Sequence, residues 1–438
     1  MGDRPFIALR RENKGRWERR VALAPEHVRA LVQEHDIGVL VQPAQQRVFG
    51  EDAYAAAGAT ITEDVSAANA VLGVKEIPIE KLVPGAAHVY FAHVFKGQPY
   101  NMPMLQALLD KGCHLIDYEK IADDAGRRLV FFGRYAGLAG ILETLWALGQ
   151  RLADRGLETP FSQVKRPHEY NNVAEARAHL QEIGEELRRC GVPEALRPMT
   201  FAFTGYGNVS QGAQELFDLL PHAVLAPAQL AAGDFGDHDQ AAVLFKTEFR
   251  EEHMAEPATE GGSFELQEYY DHPERYRGIF ARYLPRLSVL VHGAYWDERY
   301  PRVVSREDVQ ALFAQPAPRL EIIGDISCDI EGGVEITSKP TTVDAPVFVY
   351  DPATAEVTDG FTGAGPAVMA VGNLPCELPA DASRAFGEAL VGFGPQLAKT
   401  DFSQPLEQLR LASELTRALI VHRGKLTPDF AHLAQFLA

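Results

Sequence analysis

The stretch MTFAFTGYGNVSQGAQELFDLL, residues 199–220, decides the fold expected of this chain. An apolar, β-rich run ends at Thr204, a glycine-rich turn follows, and a helical pattern continues to Leu220. A strand, a Gly-x-Gly turn and a helix in that order form the dinucleotide-binding fingerprint. Gly205 permits the tight turn, Gly207 lets a pyrophosphate approach the backbone, and the helix N-terminus attracts the negative charge. The residues predicted to bind a dinucleotide are Gly205, Gly207, Asn208, Val209 and Ser210.

The same segment leaves the choice between NADH and NADPH open. Ser210 stands where the fingerprint usually has its third glycine. An NAD-binding chain has an acidic residue for the ribose roughly 20 residues after the first glycine, but this chain reads HAVLAP at 222–227. No arginine or lysine stands in that segment for the 2′-phosphate of NADPH either.

The composition excludes several classes of partner. The 438 residues include 42 Lys and Arg against 60 Asp and Glu, a net charge of −18. So acidic a surface repels nucleic acid, and no apolar run reaches the roughly 18 residues of a membrane span. The four cysteines form no Cys-x-x-Cys pair, and no basic-then-apolar leader opens the sequence. We expect a cytoplasmic globular protein with no metal, nucleic acid or membrane partner.

Strand-like and helix-like segments alternate on both sides of the fingerprint. Short β-rich runs lie at 6–9, 38–41, 71–74, 89–91, 114–116, 129–132, 223–225, 242–245, 289–291, 320–326 and 347–350. A long apolar helix is predicted at 135–155, a polar insertion at about 228–285, and helices from about residue 383 to the end. This alternation predicts an α/β fold with largely parallel sheets.

Several motifs, in one order along the chain, resemble a known enzyme family. They are WERRVALAPEHV (17–28), VLGVKE (71–76), FAHVFK (91–96), LIDYEK (115–120), GRRLVFFGRYAGLAG (126–140), FTGYGNVSQGA (203–213) and GDISCDIEGGVEI (324–336). The chain resembles the lysine–2-oxoglutarate reductase half of the bifunctional aminoadipic semialdehyde synthases. It is similar, more distantly, to the lysine-forming saccharopine dehydrogenases, and alanine dehydrogenases share the broad plan without the insertion.

The resemblance implies two Rossmann-like domains with parallel sheets. Residues 1–140 and 370–438 would form a substrate and catalytic domain. The dinucleotide-binding domain, 141–369, would be inserted into it, with substrate bound where the two meet. Ligands of such folds bind at domain interfaces and at the switch points of their sheets.

The resemblance also implies a reaction. The ε-amine of lysine condenses with the ketone of 2-oxoglutarate, and a nicotinamide cofactor, NADPH rather than NADH, reduces the imine to saccharopine. Lys75 and His93 match the family's acid/base residues. A histidine titrates near neutral pH, and a lysine does so only when burial or a nearby cation lowers its pKa. Glu76 and Glu119 match positions that could tune this pair.

Cationic side chains would hold the substrate carboxylates. Arg20 and Arg128 match the family's anchors. Arginine suits this task because its guanidinium group offers two parallel hydrogen bonds to a carboxylate. Further candidates from the resemblance are Lys96 and Phe132 for the substrate and Asp329 near the nicotinamide. One position departs from the family: residues 371–375 read VGNLP where relatives have an Asp-Asn-Leu-Pro-like motif, so Gly372 replaces a carboxylate near the substrate.

Other functions stay open beside lysine–2-oxoglutarate condensation. The enzyme could act on a different amine in specialised metabolism, or deaminate as alanine dehydrogenases do, which the insertion disfavours. The chain could also bind a nucleotide as a regulator without turnover. The joint presence of Lys75, His93, Arg20 and Arg128 favours an enzyme acting on small molecules. The sequence leaves the oligomeric state open.

Overall fold

The computed structural model of the protein describes residues 4–241, 243–259 and 261–437. Residue 242, the first of the predicted strand 242–245, lies outside the described residues, as do the terminal residues of the predicted range 1–140 plus 370–438. The chain divides into two compact units, Met1–Phe132 with Pro379–Ala438 and Gly133–Leu378. The second unit is thus inserted into the sequence of the first.

The strands, in chain order, are β1 (Phe6–Leu9), β2 (Gly38–Val41), β3 (Thr60–Ile61), β4 (Ala70–Leu72), β5 (Ala87–Tyr90), β6 (His114–Asp117), β7 (Thr200–Thr204), β8 (His222–Val224), β9 (Leu244–Phe249), β10 (Ala255–Pro257), β11 (Tyr276–Gly278), β12 (Val289–His292), β13 (Ile322–Asp325), β14 (Val347–Tyr350), β15 (Val357–Asp359), β16 (Ala367–Met369), β17 (Leu419–His422) and β18 (Lys425–Leu426).

The helices are α1 (Pro25–His35), α2 (Glu51–Ala56), α3 (Met102–Asp110), α4 (Gly133–Asp154), α5 (Val173–Cys190), α6 (Asn208–Phe217), α7 (Pro227–Ala232), α8 (Glu251–Met254), α9 (Leu266–Asp271), α10 (Arg306–Phe313), α11 (Pro379–Leu390), α12 (Gly394–Lys399) and α13 (Ser413–Arg417). The predicted helix at 135–155 corresponds to α4.

The sheet of the first unit has the strand order β18-β17-β6-β5-β4-β1-β2-β3. Strands β1 to β6 are parallel, and β17 and β18 are added antiparallel beyond β6. Strands β1, β2, β4, β5 and β6 are apolar and almost wholly buried, as expected of parallel strands covered on both faces.

The C-terminal segment is joined to the first unit by side-chain hydrogen bonds. The Ser383 hydroxyl accepts a hydrogen bond from the Val21 amide at 3.0 Å. The Asn69 amide donates to the carbonyl oxygens of Leu397 and Thr400, at 3.0 and 2.7 Å. The two segments of this unit, separated in sequence, therefore share one core.

The sheet of the second unit has the order β15-β14-β16-β13-β12-β7-β9-β8. Strands β7, β8, β9, β12, β13 and β16 are parallel, and β14 and β15 are antiparallel at one edge. Within the predicted insertion at 228–285, β9 belongs to this sheet, whereas β10 and β11 pair with each other. Both sheets confirm the predicted α/β class with largely parallel strands.

Two local predictions are wrong. The run 129–132 forms no strand. It follows a turn at 123–127 that is flanked by an isolated antiparallel bridge between Ala122 and Arg128. The C-terminal segment is not helical throughout, because after α13 the apolar run LIVH becomes β17 against β6.

Candidate functional site

The glycine-rich turn between β7 and α6 has the geometry of a phosphate-binding site. Gly205 has a φ of +80°, and a Cβ atom there would lie 2.9 Å from the Cα of Ala294, so only glycine fits. Gly207 caps α6, and a Cβ atom there would meet nothing within 4 Å. The first turn of α6, with amides that have no acceptor inside the helix, begins at Asn208. A pyrophosphate fits this combination of open space and orphan donors.

The backbones of α4 and α6 approach each other closely behind this turn. A Cβ atom at Gly212 would overlap the carbonyl oxygen of Arg134, and one at Gly137 would overlap that of Val209. Close packing is the function of the third glycine in the fingerprint. Gly212 therefore performs it here, while Ser210 is buried and accepts a hydrogen bond from Gln214 at 3.1 Å.

The strand beside β7 is β9, and β8 lies beyond it at the edge of the sheet. The Gly205 amide donates to the Phe249 carbonyl at 2.9 Å, so Arg250 follows β9 at the level of the turn. Its guanidinium carbon lies 5.0 Å from the centre of the Tyr206 ring. Residues 222–227, which carry no lysine or arginine, begin in the edge strand β8, whereas Arg250 follows the strand that pairs with β7.

Lys75 lies just beyond β4 in the first unit. The buried Glu12 carboxylate accepts hydrogen bonds from the amides of Val74 at 2.8 Å and Lys75 at 3.0 Å, which fixes the backbone there. Burial lowers the pKa of Lys75, and the nearby Arg20 guanidinium lowers this pKa further. A lowered pKa favours the neutral amine, the form of a lysine that can accept a proton.

His93 lies just beyond β5, the strand next to β4. Its Nδ1 atom is 3.3 Å from Oε1 of Glu76, and the same oxygen is 2.8 Å from the ammonium of Lys14. Burial opposes ionisation of Glu76, but its hydrogen bonds with His93 and Lys14 hold its pKa well below the usual range. His93 has a φ of +49°, a conformation that costs roughly 1–3 kcal/mol in a residue other than glycine.

Asp117, a residue that sequence reasoning did not single out, ends the next strand, β6. Its carboxylate accepts a hydrogen bond from the Glu119 amide at 2.9 Å, and burial raises its pKa to about 7. Three adjacent parallel strands, β4, β5 and β6, thus end in or just before titratable side chains. The sequence signal was the carboxylate directly after the apolar run in LIDYEK.

The predicted carboxylate anchors differ in their surroundings. Arg20 is 2% exposed, and its Nε and Nη2 donate to the two carboxylate oxygens of Glu18 at 2.7 and 2.5 Å. Arg128 has a side chain 39% exposed, with its guanidinium carbon 5.3 Å from the centre of the Phe91 ring and Nη1 3.5 Å from Glu119. Only Arg128 of the two therefore presents guanidinium surface to solvent.

The lesser candidates lie in the same unit or in the second one. Phe132 packs under the Arg20 guanidinium, whose carbon is 4.3 Å from the ring centre, and stacks on Phe386 at 4.4 Å. Lys96 is exposed. Asp329 is exposed in the loop after β13, and Gly372 follows β16 in the second unit, where a Cβ atom would lie 3.9 Å from Cys328 Sγ.

The second unit holds a buried cluster that the sequence does not reveal, formed by Glu143, Arg166, His168 and Glu377. Arg166 donates to Glu143 Oε1 at 2.9 and 2.6 Å, and His168 Nδ1 lies 2.9 Å from Glu377 Oε2. Burial raises the pKa of Glu143 well above its ordinary value and that of Glu377 to about 7. Burial lowers the pKa of His168, as does Arg166. The donor atoms of Glu143, His168 and Glu377 lie within 4.8 Å of one another.

A largely parallel sheet with this turn at the end of its first strand defines a Rossmann-like α/β protein with the fold of the alanine dehydrogenases. The family of the alanine dehydrogenase/PNT N-terminal domain matches residues 8–139. The solved structure of an L-alanine dehydrogenase superposes with a TM-score of 0.62 at 19% identity, covering 99% of this chain and 100% of that one. In the part of the chain that the structure describes, no helix has the length and apolar character needed to cross a membrane.

Two groups of proteins with this chain plan are similar in sequence to the chain. The chain is 34% identical to a mitochondrial α-aminoadipic semialdehyde synthase of Bos taurus, over 98% of its own length and 47% of that protein. It is 27% identical to an NAD⁺-dependent, L-lysine-forming saccharopine dehydrogenase of Emericella nidulans, over 88% of its length and 90% of that protein. The chain spans about half the length of the semialdehyde synthases it matches. The chain is similar to both groups over most of its own length. The resemblance inferred from the sequence motifs is thereby confirmed.

The open space at Gly207 generates a first prediction. Gly207→Val should leave the protein folded, because the side chain meets no protein atom, and should abolish binding of NADH and NADPH by filling the space a pyrophosphate needs. Nucleotide binding by calorimetry and the thermal midpoint are the measurements. Gly392→Val, at an equally open exposed glycine, is the control. A well-folded Gly207→Val protein that still binds either nucleotide contradicts the prediction.

The buried cluster generates a prediction about pH. Because the folded-state pKa of Glu377 is raised, its contribution to stability is present at low pH and is lost as the pH rises through about 7. Glu377→Gln should therefore gain on the order of 2 kcal/mol relative to the parent between pH 5.5 and pH 8.5. Unfolding midpoints of both proteins at the two pH values measure this gain. Glu185→Gln, at an exposed residue of α5, is the control. If the unfolding midpoints of the parent and of Glu377→Gln change equally with pH, the prediction is contradicted.

Proposed function

We propose that the protein is an NAD(P)-dependent reductase that condenses an amino acid with a 2-oxo acid and reduces the product to a secondary amine. Lysine and 2-oxoglutarate are the favoured pair, with saccharopine as product, and the reverse reaction uses the same groups. The observation that carries the proposal is the placement of two titratable groups. Lys75, whose pKa is lowered, and His93 lie just beyond the adjacent parallel strands β4 and β5.

The cofactor would be held in the second unit by the turn from Gly205 to Ser210. When bound, the nicotinamide supplies a hydride to an electrophilic carbon. The open face of Gly207 and the amides at the start of α6 support this assignment.

Lys75 and His93 would move the protons of the condensation. The amine nitrogen adds to the ketone carbon and gives up a proton, and the hydroxyl group must gain a proton to leave as water. Burial and the Arg20 guanidinium lower the pKa of Lys75, which favours a neutral amine that accepts and returns a proton. Glu76 holds the imidazole of His93 at 3.3 Å, so the second proton-transfer group is oriented by a fixed negative charge.

We assign the two arginines different roles. Arg128 is partly exposed and would bind a substrate carboxylate through its guanidinium group. Arg20, buried and bound to Glu18 at 2.5 Å, would act on Lys75 through its charge. Lys96 and Phe132 would contribute to the substrate pocket and Asp329 to the nicotinamide side.

A second candidate is the same reaction with an amine that lacks a distal positive charge. Gly372 is exposed and has no carboxylate, at the position where the sequence resemblance implies an aspartate. This candidate differs from the first only in the amine.

Removal of either proton-transfer group should slow turnover. We expect Lys75→Met and His93→Gln each to lower kcat by about 10²-fold or more, the usual contribution of general acid–base catalysis. Nucleotide binding should persist in both, since neither side chain belongs to the glycine-rich turn. The exposed Lys81→Met is the control for loss of a lysine. The measurement is the steady-state rate of NADPH or NADH consumption. An unchanged kcat in both variants would contradict the proton-transfer roles assigned to Lys75 and His93.

A carboxylate restored at residue 372 should improve the use of lysine. A charge-assisted hydrogen bond to the amine lowers the KM for lysine roughly 10- to 100-fold. Gly372→Asp should have this effect, because a Cβ atom there meets only Cys328 Sγ at 3.9 Å and the side chain therefore fits. The KM of the oxo acid should stay unchanged, because Arg128 is the group assigned to a substrate carboxylate. Gly372→Asn, of the same size without the charge, is the matched control. Equal KM values for lysine in the Asp and Asn variants would contradict the claim that a carboxylate at residue 372 improves lysine binding.

A further inference from the structure

A cavity of about 760 Å³ lies in the second unit at the amino ends of its parallel strands. Ser288 and Glu321, the residues directly before β12 and β13, line it, together with the C-terminal end of α4 and the loop 362–364 between β15 and β16. The glycine-rich turn follows the carboxyl end of β7, which runs parallel to β12. The cavity is therefore at the opposite end of the sheet from that turn, and its volume is typical of a small-molecule site.

Three arginines line this cavity, although the protein as a whole carries a net charge of −18. They are Arg151, Arg155 and Arg319, and the carboxylates of the lining are Asp154 and Glu321. Three guanidinium groups against two carboxylates leave the lining with an excess of positive charge. A cleft lined in this way attracts an anion that the rest of an acidic protein repels.

Two of these charged groups hold the wall of the cavity together. Arg151 is buried, and its Nη2 donates to the carbonyl oxygens of Gly363 and Gly365 at 2.9 and 2.8 Å. Asp154 Oδ1 accepts a hydrogen bond from the Thr362 hydroxyl at 2.9 Å. These contacts fix the loop against the end of α4, so the wall exists before any ligand binds.

Arg155 presents an open pair of donors. Its Nη1 is paired with Glu321 Oε1, and its side chain is 45% exposed. Among the residues that the structure describes, no hydrogen bond engages its Nε or Nη2. These two nitrogens lie on the same side of the guanidinium group, an arrangement that binds both oxygens of a carboxylate.

Arg319 offers a second cationic group in the same cavity. Its Nη2 donates to the carbonyl oxygens of Leu196 at 2.8 Å and Pro198 at 2.5 Å, which fixes the guanidinium group. Burial lowers the pKa of Arg319, and the positive charge of Arg286 lowers this pKa further. A bound carboxylate offsets that repulsion. In the described part of the chain, Nε and Nη1 of Arg319 make no hydrogen bond, so both can donate to a ligand.

We propose that this cavity is a second small-molecule site, which binds a dicarboxylate with one carboxylate on Arg155 and the other on Arg319. The small excess of positive charge suits a ligand of low charge rather than a polyphosphate. Apolar side chains line the cavity between the charged groups and would contact the carbon chain of the ligand: Leu157, Leu196, Phe313 and Leu320. The inference does not depend on the reaction proposed above, since none of these residues belongs to the glycine-rich turn or to the proton-transfer groups.

Calorimetry with glutarate tests the inference on the full chain. Glutarate is a dicarboxylate without a ketone, so it binds without being reduced. Arg155→Met and Arg319→Met each remove one anchor, and the control is Arg188→Met, at an exposed arginine of α5. Arg128→Met removes the guanidinium group assigned to the substrate, and it therefore separates binding at the two sites.

A second pair of variants tests the cavity by its volume rather than its charge. Ala364→Trp places a large side chain at an exposed position of the lining, and Ala153→Trp, at an exposed position of α4 outside the lining, is the matched control. The thermal midpoint of each variant checks that it is folded. If Arg319→Met does not fold, Arg155→Met and Ala364→Trp decide the outcome.

We expect glutarate to bind both the parent and Arg128→Met. Arg155→Met and Arg319→Met should each weaken this binding roughly 10- to 100-fold, as loss of a charge-assisted contact does. Ala364→Trp should abolish it, and the two controls should change the Kd less than threefold. Butyrate, which has one carboxylate, should bind at least tenfold more weakly than glutarate.

Three results would overturn the inference. The first is a folded parent that does not bind glutarate at millimolar concentration. The second is binding that is lost in Arg128→Met but unchanged in Arg155→Met and Ala364→Trp, which would place the ligand at the substrate site alone. The third is inorganic phosphate binding as tightly as glutarate through the same arginines, which would make the cavity a general anion site. The proposed function survives each of these results, because its tests are the Lys75 and His93 variants.

Discussion

The contact between the backbones of α4 and α6 is the constraint on which the second unit depends. A Cβ atom on either Gly137 or Gly212 would overlap a carbonyl oxygen of the other helix, so these helices can approach only through glycine. On its other side, α6 is tied to β7 by Phe217, whose ring packs against Phe201 and Phe203 at 4.7 and 5.1 Å. The turn between β7 and α6 is therefore held from both sides, and its open face at Gly207 keeps its position before any ligand arrives.

Buried charge performs a similar task in the first unit. Glu12 is buried beside Arg10, 3.8 Å away, and burial raises its pKa. Buried ion pairs contribute little net stability, because desolvation offsets their attraction. What Glu12 provides is position: its two oxygens bind the amides of Val74 and Lys75, which sets where the Lys75 side chain leaves the backbone.

Much of the fold and part of the candidate site can be predicted from the sequence, for local reasons. Strand alternation, the long helix α4 and the glycine-rich turn each depend on residues close together in the chain, and all three were predicted. The β17 strand was missed because a four-residue apolar run carries no periodicity that separates strand from helix. The cluster of Glu143, His168 and Glu377 was missed because only the fold brings these residues together. The hydrogen bonds from Arg20 to Glu18 were likewise not predicted, although the two residues are only two positions apart in the sequence.

The order of β8 and β9 shows why counting residues from the first glycine does not locate the strand beside the turn in this chain. The count assumes that the second strand of the unit lies next to the first, but a strand inside a parallel sheet must be covered on both faces. Strand β8 has three residues, of which only the middle one is buried, whereas five of the six residues of β9 are buried. The longer and more buried strand therefore takes the inner position, and the short, half-exposed one takes the edge. The two segments, HAV and LFKTEF, differ in length in the same sense, and the residue that follows the longer one, Arg250, lies beside the turn.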